Sequence, residues 1–514
     1  MAILTGYWGL DGMIFVIVSI VGFYMYMTRK FLYWKKLGVE ELSPTPFTGN
    51  FADCLLMKMS PGEFVRNLYD RAAGLPYIGF YIFDRPFILV RDLGLIKNIL
   101  VRDFSYFADR YAAASPDDNL GKANLFMVKN PAWKVLRTKL TPIFTSGKLK
   151  KMFELMLEVG QDLDTHLVSL DLKGAGRTLE TKELCAKFTT DLIGTTAYGL
   201  KVNSLNNPDA EFRKCGREIF QFDMWRSMEM TSLFFAPQVA KPLGLKFFSN
   251  KNTKFLRDVF WDTIVEREKS GVKRNDLVDL LIELKRSQAD SPDKGIFEFE
   301  GDNLVAQAAV FFTGGFETSS TVLSFTMYEL ALAPDIQTKL RAEIRDALEA
   351  SGGKITYDMV MTLPYMDMVV SETLRKYPPL PFLDRMTTAE YKVPETNLVL
   401  EKGLPVYIPM LGLHYDPEYF PNPEVFDPER FTEKNKRNRK PFTYMPFGDG
   451  PHVCIGLRLG LLQTKLGLIK IIQSYELSPC KETLIPMKLN PKSLLTAPDG
   501  GLFLNVRKIT TQAG

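Results

Sequence analysis

From Asn303 to Leu332 the chain runs thirty residues without a proline and stops just before Pro334, which predicts a helix about 45 Å long. At its centre stands Gly314-Gly315-Phe316-Glu317-Thr318. Each glycine costs a helix roughly 1 kcal/mol relative to alanine, so two in succession need an offsetting gain. Glycine leaves room where a flat ligand or another backbone comes close, and a threonine hydroxyl can bond back to its own helix and distort it locally. The plainer reading is a helix-packing glycine pair beside an exposed glutamate. Hydrophobic residues make up 46% of the 514 and charged residues 24%, enough for one large globular core. With 64 basic and 60 acidic side chains the net charge is +4, too small to make nucleic acid the main partner.

A second stretch, Pro446 to Gly456, places Cys454 among three glycines and two prolines immediately before an apolar helical run, Leu457 to Tyr475. Gly448 and Gly450 let the loop fold tightly with N–H groups aimed at the sulfur, and the positive end of the following helix favours thiolate over thiol. The five cysteines are widely spaced and contain no C-x-x-C pair, which reads as a reduced, cytosol-facing protein. With no second ligand at zinc or iron–sulfur spacing, the economical partner for a thiolate is a haem iron with one axial position to fill. A Gly/Pro turn around a buried cysteine is the competing reading.

Phe447-x-x-Gly450-x-His452-x-Cys454-x-Gly456 resembles the haem-thiolate signature of cytochromes P450, with His452 where that family usually has arginine. The resemblance implies a mainly helical fold with a small β-rich lobe (α+β), and haem b between the long helix and the Cys454 loop. It makes Cys454 the iron ligand and assigns haem contacts to Phe447, to the Trp133-x-x-x-Arg137 pair, to Arg385 and to His452. Neutral at cytosolic pH, His452 is expected to donate one hydrogen bond to a propionate. Glu317 and Thr318 match the residues that deliver protons to dioxygen. Glu372, Arg375 and Arg430 match a buried structural triad, although an i,i+3 acid–arginine pair is by itself only a surface contact. Phe107, Phe220, Phe311, Phe312, Leu380 and Phe503 stand at positions that line the family's substrate pocket.

Tyr7 to Tyr26 carries Asp11 as its only charge and is followed by Arg29, Lys30, Lys35 and Lys36, which predicts an uncleaved anchor with the remainder cytosolic. The expected organisation is therefore an anchor over 1–28, a basic and proline-rich linker over 29–50, and a catalytic domain over 51–514. Tyr77 to Val90 predicts a hairpin, Phe104 to Asn130 a long loop, and Asn130-Pro131 a helix cap. Residues from about 150 to 285 are mainly helical in pattern. Their aromatic middle, Phe212 to Phe248, is expected to form a mobile lid, and Ser287 to Gly295 a polar loop.

Lys434 to Lys440 holds five basic residues in seven, a solvated loop by default. In cytochromes P450 this region lies near the face that docks an acidic reductase, and Lys134, Lys139 and Arg458 would extend it. The expected reaction is monooxygenation of a lipophilic substrate with O2 and with NADPH electrons delivered by NADPH-cytochrome P450 reductase. Cytochrome b5 would be a second electron carrier and the endoplasmic reticulum membrane the location. The pattern most resembles insect microsomal members concerned with plant toxins and insecticides. Hormone or lipid metabolism is the alternative within the family; a haem-thiolate isomerase, a non-catalytic haem or apolar-ligand binder, and a haem-free membrane scaffold lie outside that reaction.

Overall fold

The computed structural model describes residues 5, 7–287 and 295–509. The expected proline-free run is a single helix, Gly301–Leu332, of 32 residues. It is apolar on nearly all sides and correspondingly buried along most of its length, as a helix surrounded by others must be. Thr181–Ile193, Pro364–Lys376 and Leu457–Ile472 pack against it, and the short helix Asn119–Ala123 lies near its N-terminal end. The mainly helical stretch from 150 to 285 resolves into six helices, Ser146–Ser169, Thr181–Ile193, Glu211–Phe220, Met224–Phe235, Asn250–Ser270 and Leu277–Ser287. The polar loop expected after Ser287 falls largely outside the described residues.

The predicted hairpin pairs Tyr77–Ile82 with Arg85–Val90 in antiparallel register, Tyr77 opposite Val90. Two later strands extend it: Pro405–Ile408 runs parallel to Arg85–Val90, and Leu383–Met386 closes the four-stranded sheet. Placing Arg385 on that last strand is what brings it to the interior. A three-stranded sheet, Arg177–Glu180, Phe503–Lys508 and Tyr475–Ser478, lies elsewhere. The buried apolar side chains form two clusters, one around the long helix and one under the β-lobe.

Three expectations are corrected. Phe104 to Asn130 is not one loop, since it contains a 3-10 turn, Phe104–Phe107, and the helix Asn119–Ala123. Asn130 caps nothing: its side chain bonds the Ala108 carbonyl (3.1 Å) and Asp109 (3.2 Å), while the helix is Ala132–Leu140. Residues 29–50 are not a free linker. Trp34 is fully buried and donates from its backbone N–H to the Tyr81 hydroxyl (3.3 Å) and from Nε1 to the Phe80 carbonyl (3.4 Å). Gly79, which lacks the Cβ that would collide with the Trp34 ring, makes the fit possible. Just before that segment, Trp8–Thr28 is a 21-residue helix, about 32 Å long, with no buried side chain. Arg29 meets Asp84 of the hairpin turn at 2.9 Å, and Phe23 stacks on Phe47 with centroids 5.3 Å apart.

Candidate functional site

A cavity of about 340 Å³ lies between the long helix, the Cys454 loop and the β-lobe. Cys454 opens onto it from one side and Gly314, Gly315 and Thr318 from another. The volume is within the range of roughly 300–1,000 Å³ usual for small-molecule sites.

The Cys454 loop is held by its own backbone. Gly448 and Gly450 have φ of +73° and +69°, and a Cβ at Gly450 would strike the Leu100 carbonyl, so the second glycine is required by space as well as by conformation. The Val453 and Cys454 amides close the turn on the carbonyls of Gly450 (2.9 Å) and Phe447 (2.8 Å). It is the Gly456 amide that turns toward the sulfur, at the N-terminus of Leu457–Ile472. The sulfur is accessible from the cavity but otherwise enclosed by protein. Burial raises the thiol pKa on balance, contrary to the expected preference for thiolate, and the Gly456 amide together with Arg137 and Arg110 offsets only part of that rise.

Three guanidinium groups converge at one end of the cavity: Arg137 and Arg385, both expected, and Arg110, which sequence reasoning missed. Arg385 is 1% exposed, its Nη1 bonds only its neighbour's carbonyl, Asp384 O (2.7 Å), and its Nε has no partner. Arg110 leaves Nε and Nη1 without hydrogen-bond partners and reaches the Asp384 carboxylate only at 3.6 Å. Burial, with repulsion from Arg110 adding to it, pulls the Arg385 pKa down to about 9. Burial lowers Arg137 and Arg110 as well. Arg110 and Arg385 share one carboxylate, that of Asp384, and Arg137 has no ion pair among the described residues. Buried charges are ordinarily paired, so this end of the cavity is built for an anionic ligand with more than one acceptor. The two propionates of haem b fit that requirement, and the Cys454 sulfur in the same cavity fits its iron.

His452 behaves differently from the expectation. Its Nε2 lies 2.8 Å from the Ala108 carbonyl, which can only accept, so Nε2 carries the proton. Burial, with Arg110 and Arg385 nearby, pulls its pKa down to about 2, so Nδ1 is bare. A ring in that state has no proton left for a carboxylate, which corrects the proposed bond to a propionate. The ring instead packs at a tilt against Trp133 (4.0 Å between centroids) and Phe104 (5.3 Å), joining the Cys454 loop to the segment that carries Arg110.

On the long helix the two glycines divide the work. A Cβ on Gly315 would collide with Ile193 of the adjacent helix, whereas Gly314 faces open space in the cavity. Thr318 borders the cavity and donates its hydroxyl hydrogen to the Gly314 carbonyl (2.5 Å). Glu317 points elsewhere: its carboxylate pairs with Lys182 (2.9 Å), whose ammonium also bonds Ser320 (2.6 Å) and Thr321 (3.1 Å).

Glu372, Arg375 and Arg430 do come together. Arg375 grips Glu372 with two bonds (2.7 and 2.8 Å) and also donates to the carbonyls of His414 and Pro423, while Arg430 Nε stands 3.3 Å from the same carboxylate. Of the basic run, Lys434, Lys436, Arg437 and Lys440 are exposed; Arg439 instead lies over Phe431 at 4.2 Å and donates to the Arg430 carbonyl.

Of the six pocket residues expected, Phe220, Phe311 and Leu380 line the cavity. Phe107 is sealed in the β-lobe core against Tyr391 (4.8 Å), Phe312 stacks on Phe316 (5.0 Å), and Phe503 lies in a strand opposite Glu180. Phe126, Phe222, Phe234, Phe247, Leu494 and Leu495 supply wall that those three do not. Phe222 and Phe234 belong to the aromatic stripe already visible in the sequence; Phe126 and the two leucines carry no periodic signal.

The profile of the cytochrome P450 family matches residues 40–505. The chain is 48% identical to cytochrome P450 6k1 of Blattella germanica, with both chains fully covered. It is 45% identical to a probable cytochrome P450 6g2 of Drosophila melanogaster, over 96% of this chain and 98% of the relative, and 43% identical to cytochrome P450 6j1 of Blattella germanica, over 94% and 95%.

Proposed function

Since the chain belongs to the cytochrome P450 family and is on that ground a haem monooxygenase using O2, we propose that it is anchored by Trp8–Thr28 in the endoplasmic reticulum membrane, its body on the cytosolic side, and that it oxidises lipophilic xenobiotics such as insecticides or plant toxins. Electrons come from NADPH through NADPH-cytochrome P450 reductase, with cytochrome b5 as a second donor. Lys434, Lys436 and Arg437, with Lys134, Lys139 and Arg458, offer the positive surface for those partners.

The observation that carries this reading is the convergence, on one largely apolar cavity, of the Cys454 sulfur and three guanidiniums, of which Arg110 and Arg385 have nitrogens without partners. Arg110, Arg137 and Arg385, with the Trp133 indole N–H, would hold the haem carboxylates, Phe447 would pack against the macrocycle, and Cys454 would ligate the iron. His452 contributes by fixing the Ala108 carbonyl and, through it, the neighbouring Arg110. Bound in this way, haem supplies the reductive activation of O2, with one oxygen passing to substrate and the other leaving as water.

The chain's own residues then have distinct tasks. The phenylalanines of the wall exclude water and hold an apolar substrate near Gly314. Thr318 spends its hydrogen on the Gly314 carbonyl, so its Oγ1 presents lone pairs and orients a donor in the cavity. Glu317 is the nearest acid in sequence, and to pass a proton toward Thr318 Oγ1 its carboxylate must leave Lys182. Glu372, Arg375 and Arg430 touch none of the reacting atoms and hold the scaffold.

The test is spectroscopic and then chemical. Purified protein reduced under carbon monoxide should give the red-shifted band of thiolate-ligated haem, and Cys454→Ala should abolish it. Reconstitution with reductase and NADPH, challenged with insecticide, terpenoid and steroid panels, should yield hydroxylated products chiefly from the first two classes. A carbonyl spectrum of imidazole-ligated haem in folded protein would overturn the site, and turnover restricted to steroids would overturn the xenobiotic role.

A further inference from the structure

Asp118 is 1% exposed and uses its carboxylate for backbone amides from two parts of the chain. Oδ1 accepts from Gly121 N–H (2.7 Å) in its own helix, Asn119–Ala123; Oδ2 accepts from Phe247 N–H (2.7 Å) and Phe248 N–H (3.1 Å) in the segment after the lid helix Met224–Phe235. Charge-assisted bonds of this kind are about twice as strong as neutral ones. Gly121 is built for the clasp, since a Cβ there would overlap the same Oδ2.

The two sides of the clasp are anchored to different bodies. Asn119–Ala123 is fastened to the long helix: Gln307 donates to the Ala123 carbonyl (2.8 Å) and accepts from Leu125 N–H (3.0 Å), and Asn119 bonds Asp302 (3.1 Å). Residues 246–248 are fastened to the lid helix. There Arg226 donates to the carbonyls of Lys246 (2.7 Å) and Phe247 (2.5 Å), Glu229 accepts from Lys246 N–H (2.7 Å), and Arg226 and Glu229 pair at 2.6 Å. The C-terminal half of the lid helix is packed into the β-lobe core through Leu233, Phe234 and Phe235, and hydrogen bonds from Ala113 N–H to Leu233 O, Ser227 Oγ to Lys492 O and Tyr407 OH to Phe234 O add to that packing. Phe247, gripped by its amide, puts its ring in the cavity wall.

We propose that Asp118 is a positioning residue for substrate selection: by clasping the Phe247 and Phe248 amides it fixes the Phe247 ring and so sets the aperture through which ligands reach the cavity. This rests on the reading of that cavity as the substrate site. Opening the clasp leaves the segment held by Arg226 and Glu229 alone, which lets the Phe247 ring shift and admit bulkier ligands, whereas small ligands are indifferent to it.

The experiment uses the full-length haem protein with Asp118→Asn, and with Gly121→Ala, which keeps the charge but displaces Oδ2. Hydrogen exchange at the Phe247 and Phe248 amides should quicken by about tenfold in both variants, the loss of a charge-assisted bond. Stopped-flow binding of imidazole and of clotrimazole, followed at the Soret band, should show the clotrimazole on-rate rising severalfold while the imidazole rate stays within about twofold. In a Phe247→Ala background, Asp118→Asn should no longer change the ratio of the two rates. A purely structural carboxylate would move both rates together, or change the ratio equally with and without Phe247, and either result overturns the proposal, as does unchanged exchange at the two amides. Protein that carries no haem would sink the functional reading, while the exchange data would still decide the clasp.

Discussion

Two of the places where the molecule encloses arginines treat them oppositely. Around Glu372, Arg375 has a bidentate carboxylate and two carbonyls for its donors, and Arg430, whose Nε makes no hydrogen bond, still stands 3.3 Å from that same carboxylate, so both cations are paired with an anion. Around the cavity, Arg110 and Arg385 keep unpartnered nitrogens and repel one another. Each place also holds a buried neutral histidine, His414 in the first and His452 in the second. The contrast teaches how to tell scaffold from site inside one core. A completed set of hydrogen bonds belongs to the fold, and an incomplete set of buried cations to whatever the fold was made to hold.

The largest effect should come from breaking the completed set. Glu372→Gln leaves Arg375 charged, buried and uncompensated, and should cost about 3–5 kcal/mol of folding stability, equally with and without haem, in denaturant titrations. A loss under about 1 kcal/mol would erase the distinction. Arg385→Met should behave in the opposite way. The haem-free protein should be as stable as before or more so, because a poorly paired buried charge is gone, while haem dissociation quickens by about 10- to 100-fold, the worth of charge-assisted bonds to a carboxylate. Haem transfer to an apo-globin acceptor would measure it, and haem-free protein destabilised as much as by Glu372→Gln would contradict the contrast.

The smallest effect sharpens the comparison through pH. His414 accepts from Met445 N–H at Nε2 (3.1 Å) and donates from Nδ1 to the Arg375 carbonyl (3.1 Å), and burial pulls its pKa down to about 3. The folded ring stays neutral where the unfolded one, at about 6.5, takes a proton. Its contribution is therefore fully present above the unfolded value and falls away as the solution is acidified toward the folded one. Between pH 7 and pH 5 that amounts to about 2 kcal/mol. Comparing the pH slope of unfolding free energy in wild type and His414→Gln should reveal it as a shallower slope in the variant.

Much of the frame was legible because it is periodic or punctuated: the proline-free helix, the hairpin around Asp84-Arg85-Pro86, the glycine-bounded Cys454 loop. Side-chain destinations set by distant contacts were not. Arg110 sits in a segment without periodicity, and its place is decided by Asp384, on a strand far along the chain. The sequence shows His452 as a departure from the family signature, yet only the folded chain supplies the Ala108 carbonyl that fixes its tautomer. Glu317 offers a signal that could have been used: successive helical residues point about 100° apart, so a helix that turns Thr318 to a cavity turns Glu317 toward its neighbour. Phe503 matches a pocket position only by resemblance, and its strand pairing with Arg177–Glu180 carries it elsewhere.

Because Trp34 is sunk into the β-lobe and Arg29 is fastened to Asp84, the lean of the Trp8–Thr28 helix and the attitude of the catalytic body are one variable rather than two. With that helix as the proposed anchor, a thinner bilayer would tip the helix and with it the whole body, raising or lowering the cavity mouth against the lipid headgroups. Lipid thickness would then act as a dial on which dissolved compounds the enzyme can draw from.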